Sequence, residues 1–327
     1  MDKYIQRFPE QLTEALQIVE QANLPAWPRK PLSVVITGMG GSGIGAVIVR
    51  SLIGKSLRIP FLVVNNYNIP VWCNADTLVI CSSYSGNTEE TIAAYQDAVA
   101  KGCMTACVTT GGKLLAFAQQ TSMPTIKIPG GMPPRSCVGY SIVGQLALLA
   151  HAGIIEDNWK QHISGVAQFL QESGADIRSQ AKQLASLLQP FIPIIYSDQL
   201  MSGVAVRWKQ QLNENAKVHA FDHTIPEMNH NELVAYVEPD QRFCPIFLRH
   251  SFEHARIQER FAYTMELMDD KTGSLCEVEA TGEGIWQQIF SLLHFGDWLS
   301  VELAAIRGVD PIDIAILEQL KSALGKA

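Results

Sequence analysis

Short apolar runs and amphipathic stretches alternate along this chain. Ser33-Val34-Val35-Ile36, Phe61-Leu62-Val63-Val64, Thr77-Leu78-Val79-Ile80-Cys81, Met104 to Thr109 and Thr125 to Ile128 are apolar, largely β-branched and of strand length. Between most of them lie helical segments: Ile44 to Leu52 is apolar, and Glu89 to Ala100 carries Ile92, Tyr95, Ala98 and Val99 at helical spacing. Strands buried on both faces read as unbroken apolar runs, so this alternation predicts a parallel sheet covered by helices on both sides. Cys137 to Ile155 is long enough to span a bilayer, but it holds Gln145 and His151 and follows Pro133-Pro134-Arg135, so a buried helix over 137–153 is expected. A largely helical stretch over 156–188 links two halves. The pattern then resumes with a strand at Ile194 to Tyr196, a helix over 198–213, a strand at Pro245 to Leu248, a helix over 253–268, a strand at Leu275 to Val278 and a helix from Glu283 to Arg307. Asp310-Pro311 reads as the cap and first residue of a final helix. The expected fold class is α/β, with one domain over 1–155 and a second over 156–327.

Two turns in the first half carry candidate chemistry. The stretch SSYSGNTEET at 82–91 places Ser83, Ser85 and Thr88 between a strand and a helix start, where hydroxyls, unpaired first-turn N–H groups and the helix dipole suit a phosphate. An ordinary Ser/Asn cap is the competing reading. Upstream, Thr37-Gly38-Met39-Gly40-Gly41-Ser42-Gly43 follows another strand. Gly38, Gly40 and Gly43 match G-x-G-x-x-G, which makes a nicotinamide-binding dehydrogenase a rival. That site needs an acid at the end of the next strand to hold the ribose, and here Asn65 and Asn66 stand there. Gly41 and Ser42 are therefore read as slim backbone facing a small phosphorylated ligand together with the serine loop.

Composition narrows the classes. The chain has 327 residues, 47% hydrophobic and 17% charged, as expected of a soluble globular protein long enough for two cores. A net charge of −7 with no run of Lys or Arg argues against nucleic acid or an anionic membrane as partner. Seven scattered cysteines without a C-x-x-C pair suggest reduced thiols and a cytoplasmic location. Met1 to Tyr4 begins no signal sequence. His219/His223 and His250/His254 are each four apart but lack an evident third ligand, so no metal and no other cofactor is expected.

In the second half, Glu214 and His230 each sit between two asparagines, in Asn213-Glu214-Asn215 and Asn229-His230-Asn231. The amides are expected to orient these groups, with partial burial raising the carboxylate towards the range of a useful base. A solvated helix end and a loop histidine are the plainer alternatives.

Taken in order, GMGGSGIG, SSYSGNTEET, PPRSCVGYS, NENAKV, PEMNHNE and GVDPIDIAILEQLK resemble the bifunctional phosphoglucose/phosphomannose isomerases of the sugar isomerase (SIS) superfamily, from about residue 38 to 321. The resemblance implies two SIS-type, flavodoxin-like, doubly wound subdomains, the first with the phosphate-binding loops and the second an isomerase domain. It implies phosphate binding by Gly41, Ser42, Ser83, Ser85 and Thr88, stabilisation of an enediolate by Arg135, proton transfer between C1 and C2 by Glu214, and ring opening assisted by His230 and Lys321. It also implies metal-independent interconversion of glucose 6-phosphate and mannose 6-phosphate with fructose 6-phosphate through a cis-enediol. The expected assembly is a homodimer with a shared active site, His230 reaching it from the neighbouring subunit. Ile312-Asp313-Ile314 departs from the hydroxyl or small residue many relatives carry after Asp-Pro, so the resemblance does not carry over a sugar-hydroxyl contact at that turn. A non-catalytic phosphosugar-sensing regulator would keep Ser83, Ser85 and Thr88 but would not need Glu214, Arg135 and Lys321 together.

Overall fold

The computed structural model describes residues 1–325, so the last two residues of the expected 156–327 domain lie outside the described residues. Two compact units divide the chain: Gln6–Glu172 with Glu283–Gln287, and Met1–Ile5, Ser173–Gly282 and Gln288 onward.

The chain opens with α1 (Asp2–Gln6) and α2 (Phe8–Gln21), followed by β1 (Ser33–Thr37), α3 (Gly40–Ile53), β2 (Phe61–Val64), β3 (Thr77–Ser83), α4 (Glu89–Ala100), β4 (Met104–Thr109), α5 (Gly112–Thr121), β5 (Thr125–Lys127), a 3-10 turn at Pro134–Ser136 and α6 (Val138–His151). The sheet is entirely parallel, in the order β2-β1-β3-β4-β5. This is the doubly wound, flavodoxin-like order, and its winding reverses between β1 and β3, where such sheets leave a ligand crevice at their carboxyl ends. The pairing of Thr37 with Cys81 sets the two strand ends side by side. Val34, Val35 and Ile36 are wholly buried and so is every residue of β3, whereas edge strand β2 is half-buried. Each such aliphatic side chain stabilises the sheet by about 1.5–3 kcal/mol. Helix α3 starts four residues earlier than its apolar run suggested, because Gly40 to Gly43 already form its first turn.

Helix α7 (Trp159–Leu188) leads to β6 (Ile192–Asp198), α8 (Ser202–Ala216), β7 (Phe221–Ile225), two 3-10 helices at Glu227–His230 and Glu232–Val237, β8 (Phe243–Arg249), α9 (Ala255–Met268), β9 (Cys276–Glu279), α10 (Ile285–Arg307) and α11 (Ala315–Leu324). The second sheet, again parallel, runs β7-β6-β8-β9, the order of the first without a fifth strand. Its edge strand β7 starts at Phe221 and includes His223. Asp310-Pro311 does not start the last helix. Asp310 accepts a hydrogen bond from the Ile312 N–H at 2.8 Å in a turn, and α11 begins only at Ala315.

The membrane-length candidate also moves. The 137–155 stretch yields a 14-residue helix, α6, while α10 is the one helix among the described residues long and apolar enough to cross a bilayer. Its most apolar window is 89% buried in the protein, as for a core helix. Polar bonds fix α10 against α8: Arg207 pairs with Asp297 at 2.8 Å, Gln211 donates to the same carboxylate at 2.9 Å, and Trp208 Nε1 donates to Leu292 O at 2.7 Å. His294 is buried on α10 and its Nε2 accepts from Trp298 Nε1 at 3.0 Å.

Burial pushes the His294 imidazole from 6.5 down to about 3. The folded protein therefore holds it neutral where the unfolded chain takes up a proton, so its contribution is fully present above pH 6.5 and is lost as pH falls towards 3. Thermal unfolding followed from pH 7.5 to 4.5 should show wild type losing stability faster than His294→Gln, by up to about 1.4 kcal/mol per pH unit. Parallel curves for the two proteins would remove His294 from the acid sensitivity.

Candidate active site

The loops after β1 and β3 meet at the switch point of the first sheet. Their approach leaves no room for side chains: a Cβ on Gly38 would lie 2.7 Å from Ser82 O, and one on Gly43 would lie 2.6 Å from Gly38 O. Asn65 donates to Gly38 O at 2.5 Å, so the amide at the end of β2 is spent on holding the turn where a dinucleotide site would need a carboxylate. Helix α3 has no side-chain cap at its start.

The serine loop is tied to itself and to the β4–α5 turn. Ser83 is buried at the end of β3; its Oγ accepts the Gly86 N–H at 3.1 Å and lies 2.8 Å from Thr88 Oγ1. Ser85 is exposed and accepts the Asn87 N–H at 3.2 Å. Thr88 occupies the N-cap position of α4 with extended backbone, yet its hydroxyl does not cap the helix. The ordinary cap is therefore not what the loop forms. Leu114 donates to Gly86 O and Lys113 to Asn87 Oδ1, each at 3.0 Å, while Gly86 has a φ of +67° with Gly111 O packed against it.

Arg135 is brought to the same edge. A Cβ on Gly41 would meet Pro134 O at 3.0 Å and Arg135 Cα at 3.5 Å, so the Pro-Pro-Arg turn lies directly on the glycine loop, and Arg135 is 5% exposed. Two buried amides support this arrangement. Gln11 of α2 donates to Ser136 O and accepts from the Gly139 N–H, both at 2.8 Å, clamping the turn from both sides. Gln145 of α6 donates to Ser42 O at 3.2 Å, Ser82 Oγ at 3.1 Å and Ser141 Oγ at 2.9 Å, linking both loops to the helix. Only Gln145 carries a sequence signal, a lone glutamine in an apolar helical run with Ser141 four residues before it. Gly41, Ser42, Ser83, Ser85, Thr88 and Arg135 thus gather around one strand crossover.

Glu214, His230 and Lys321 lie on three elements of the other unit. Glu214 is half-buried in the last turn of α8. Its flanking amides anchor the helix end: Asn213 donates to Val218 O at 2.7 Å and Asn215 to Ser300 Oγ at 2.9 Å. Lys217, in left-handed backbone just beyond, donates to Glu214 O at 2.5 Å and Asp313 O at 2.7 Å, joining this turn to the approach to α11. Lys321 is exposed on α11. His230 is exposed at the end of a 3-10 helix, and here too the asparagines brace the turn. Asn229 donates to Thr264 Oγ1 at 2.9 Å, and Asn231 donates to Glu227 Oε1 at 3.0 Å.

Three of the four histidines considered for metal are engaged elsewhere. His223 Nδ1 lies 2.5 Å from Glu232 Oε2, His250 Nε2 lies 3.0 Å from Asp198 Oδ2, and His254 caps α9. Among the described residues, no group of three or more His, Cys, Asp or Glu could hold a metal ion. All seven cysteines are free.

The fold has solved counterparts. The C-terminal domain of glucosamine-fructose-6-phosphate aminotransferase from Francisella tularensis superposes with a TM-score of 0.75 at 13% identity, covering 94% of this chain and 96% of that one. Tagatose-6-phosphate ketose/aldose isomerase from Escherichia coli gives 0.66 at 16% identity, covering 95% and 93%. At these identities the likeness is one of fold, and residues 177–324 match the bacterial phospho-glucose isomerase C-terminal SIS domain. A bifunctional phosphoglucose/phosphomannose isomerase of Caldicellulosiruptor bescii is 34% identical over 100% of this chain and 99% of its own length. One of Aquifex aeolicus is 32% identical over 90% of each. The chain belongs to the bifunctional phosphoglucose/phosphomannose isomerase family.

The serine loop offers a controlled test. Gly86→Ala places a Cβ on Gly111 O in left-handed backbone, whereas Gly102→Ala meets the same backbone penalty, at φ +69°, in open space. Gly102→Ala should cost about 1–3 kcal/mol by calorimetry and Gly86→Ala more, since its Cβ also meets backbone, and Gly86→Ala alone should also abolish inorganic phosphate binding by titration. Retained binding in Gly86→Ala would show that the loop conformation does not matter to the anion.

Proposed function

We propose that this protein is an aldose–ketose isomerase interconverting glucose 6-phosphate and mannose 6-phosphate with fructose 6-phosphate without a metal. The observation that carries the reading is the full-length identity to relatives named for both activities. Residues 1–155 anchor the phosphate and residues 156–327 carry most of the isomerase groups. Gly41, Ser42, Ser83, Ser85 and Thr88 hold the phosphate through loop amides and hydroxyls. His230 and Lys321 assist opening of the ring by moving protons on the sugar oxygens. Glu214 takes the C2 proton of the open aldose, leaving a cis-enediolate whose charge Arg135 stabilises, and returns the proton to C1 to give the ketose. The two aldoses differ only at C2, which is planar in that intermediate. Rotation about C2–C3 therefore lets one base serve both epimers.

Support for a shared site in a homodimer comes from the His230 segment. Val234 and Val237 beside it are 72% and 70% exposed, which suits a surface covered by a second copy. The free cysteines suit a reducing cytoplasm, where the reaction would serve hexose phosphate exchange in glycolysis and gluconeogenesis.

A coupled assay after exhaustive chelation should show fructose 6-phosphate formed from both aldose phosphates; strict dependence on added zinc would overturn the metal-free reading. Glu214→Gln should lower turnover about 10²–10⁴-fold at nearly unchanged phosphosugar affinity. A variant keeping more than about a tenth of wild-type turnover would exclude Glu214 as the base.

Complementation tests the shared site. Glu214→Gln and His230→Ala homodimers should each be nearly inactive, yet refolding them together in equal amounts should restore about a quarter of wild-type activity, since half the dimers are mixed and half their sites intact. Verified heterodimers without activity would place both residues in one subunit.

A further inference from the structure

His230 ends the first of two consecutive 3-10 helices, which bury little of their own surface. Met228 is the one buried residue in Glu227–His230, and Glu232–Val237 has none. Met228 is in the core, with Leu233 and Tyr236 partly buried against the same cluster, but His230 itself is exposed, so its turn depends also on polar contacts on either side of it. Before His230, Asn229 bonds to Thr264 and lies 3.4 Å from Arg260 Nη1, both on α9. After it stands Glu232, two residues on, whose carboxylate reaches into the sheet. One oxygen accepts the hydroxyl of Tyr196 on β6. The other lies 2.5 Å from His223 Nδ1 on β7. Tyr236, from the same segment, completes the cluster at 2.7 Å from the Tyr196 hydroxyl.

From this geometry we infer that Glu232 is a positioning residue, which locks the His230 turn onto β6 and β7 through Tyr196 and His223 and so sets the imidazole for ring opening. The inference rests on the ring-opening role proposed for His230. The protonation of the partners suits it. Burial is the main cause that holds both phenols protonated, Tyr196 far above the usual tyrosine range and Tyr236 pushed up to about 12, so they act as donors at any working pH. Tyr236 donates to Tyr196 and Tyr196 to Glu232, a chain in which each bond polarises the next. The backbone is tied at the same place, because the Glu232 N–H donates to Asn231 Oδ1 at 2.6 Å.

A positioning role predicts a split that loss of fold would not give. Exchange between the anomers of glucose 6-phosphate, followed by two-dimensional exchange NMR, reports ring opening apart from proton transfer between C1 and C2. Glu232→Ala should slow enzyme-catalysed anomer exchange and kcat by about tenfold while KM stays within about twofold. Glu232→Gln, whose amide oxygen still accepts from Tyr196 and whose amide keeps the length that reaches His223, should recover most of the lost rate. If Glu232→Ala does not fold by circular dichroism, Tyr196→Phe, which deletes one of the two bonds, should slow anomer exchange about threefold. Wild-type anomer exchange in folded Glu232→Ala, or in Tyr196→Phe where Glu232→Ala does not fold, would overturn the positioning role. His230→Ala separates the two ideas: if it too exchanges anomers at the wild-type rate, the ring-opening assignment of His230 falls instead.

Discussion

The carboxyl edge of the first sheet depends on backbone packed directly against backbone. Gly38 sits on Ser82 O, Gly43 on Gly38 O, Gly41 on Pro134 O and Gly86 on Gly111 O, each too close for a Cβ without movement. Without side chains at these positions, four loops close together along one sheet edge. Their N–H groups and hydroxyls then form a surface that an anion can touch without a cluster of lysines. A chain of net charge −7 gains from this arrangement, because the attraction is local and does not require a basic face.

The second sheet repeats the topology without repeating the crevice. Its winding reverses between β6 and β8, the place equivalent to the first sheet's crossover. There Asp198 lies against His250, the Arg249 guanidinium grips Glu253 through two bonds of 2.9 and 2.8 Å, and Glu253 Oε1 also accepts the His250 N–H at 2.9 Å. The switch point is occupied by its own side chains, which satisfy one another. With that position closed, the groups suited to proton transfer lie elsewhere in the unit, at the end of α8, in the 3-10 turn and on α11. The same fold thus leaves the switch point of one unit lined by loop backbone and fills that of the other with paired side chains.

Most strands were legible because a parallel sheet covered on both faces leaves unbroken apolar runs, and β1, β3 and β4 fall where Val34 to Ile36, Leu78 to Cys81 and Met104 to Thr109 stand. Edge strand β7 was harder, since Phe221-Asp222-His223-Thr224 is mixed in polarity and half open to solvent. The glycine and serine loops declared themselves through residue type. Their supports did not: Gln11 reaches the Pro-Pro-Arg turn across 125 residues, and nothing local distinguishes it from a solvated glutamine. Asp310 misled for a physical reason, because an Asx turn and a helix cap use the same side-chain acceptor and differ only in what the following residues do. The asparagines around Glu214 and His230 suggested partners for the ionisable groups, whereas most of their bonds brace the helix end and the turn.

Those braces point to a common requirement. A loop at the end of a strand offers little apolar surface, so burial cannot hold it to the tolerance that proton transfer demands. The first unit meets this with close glycine contacts and a glutamine that bonds both loops to α6. The second uses paired amides and a carboxylate held between a phenol and an imidazole. Hydrogen bonds suit the task because they are directional, and each costs heavily when half-made in a buried place. The residues that hold the chemistry still are therefore polar and scattered in the sequence, while the groups they hold sit in short recognisable motifs.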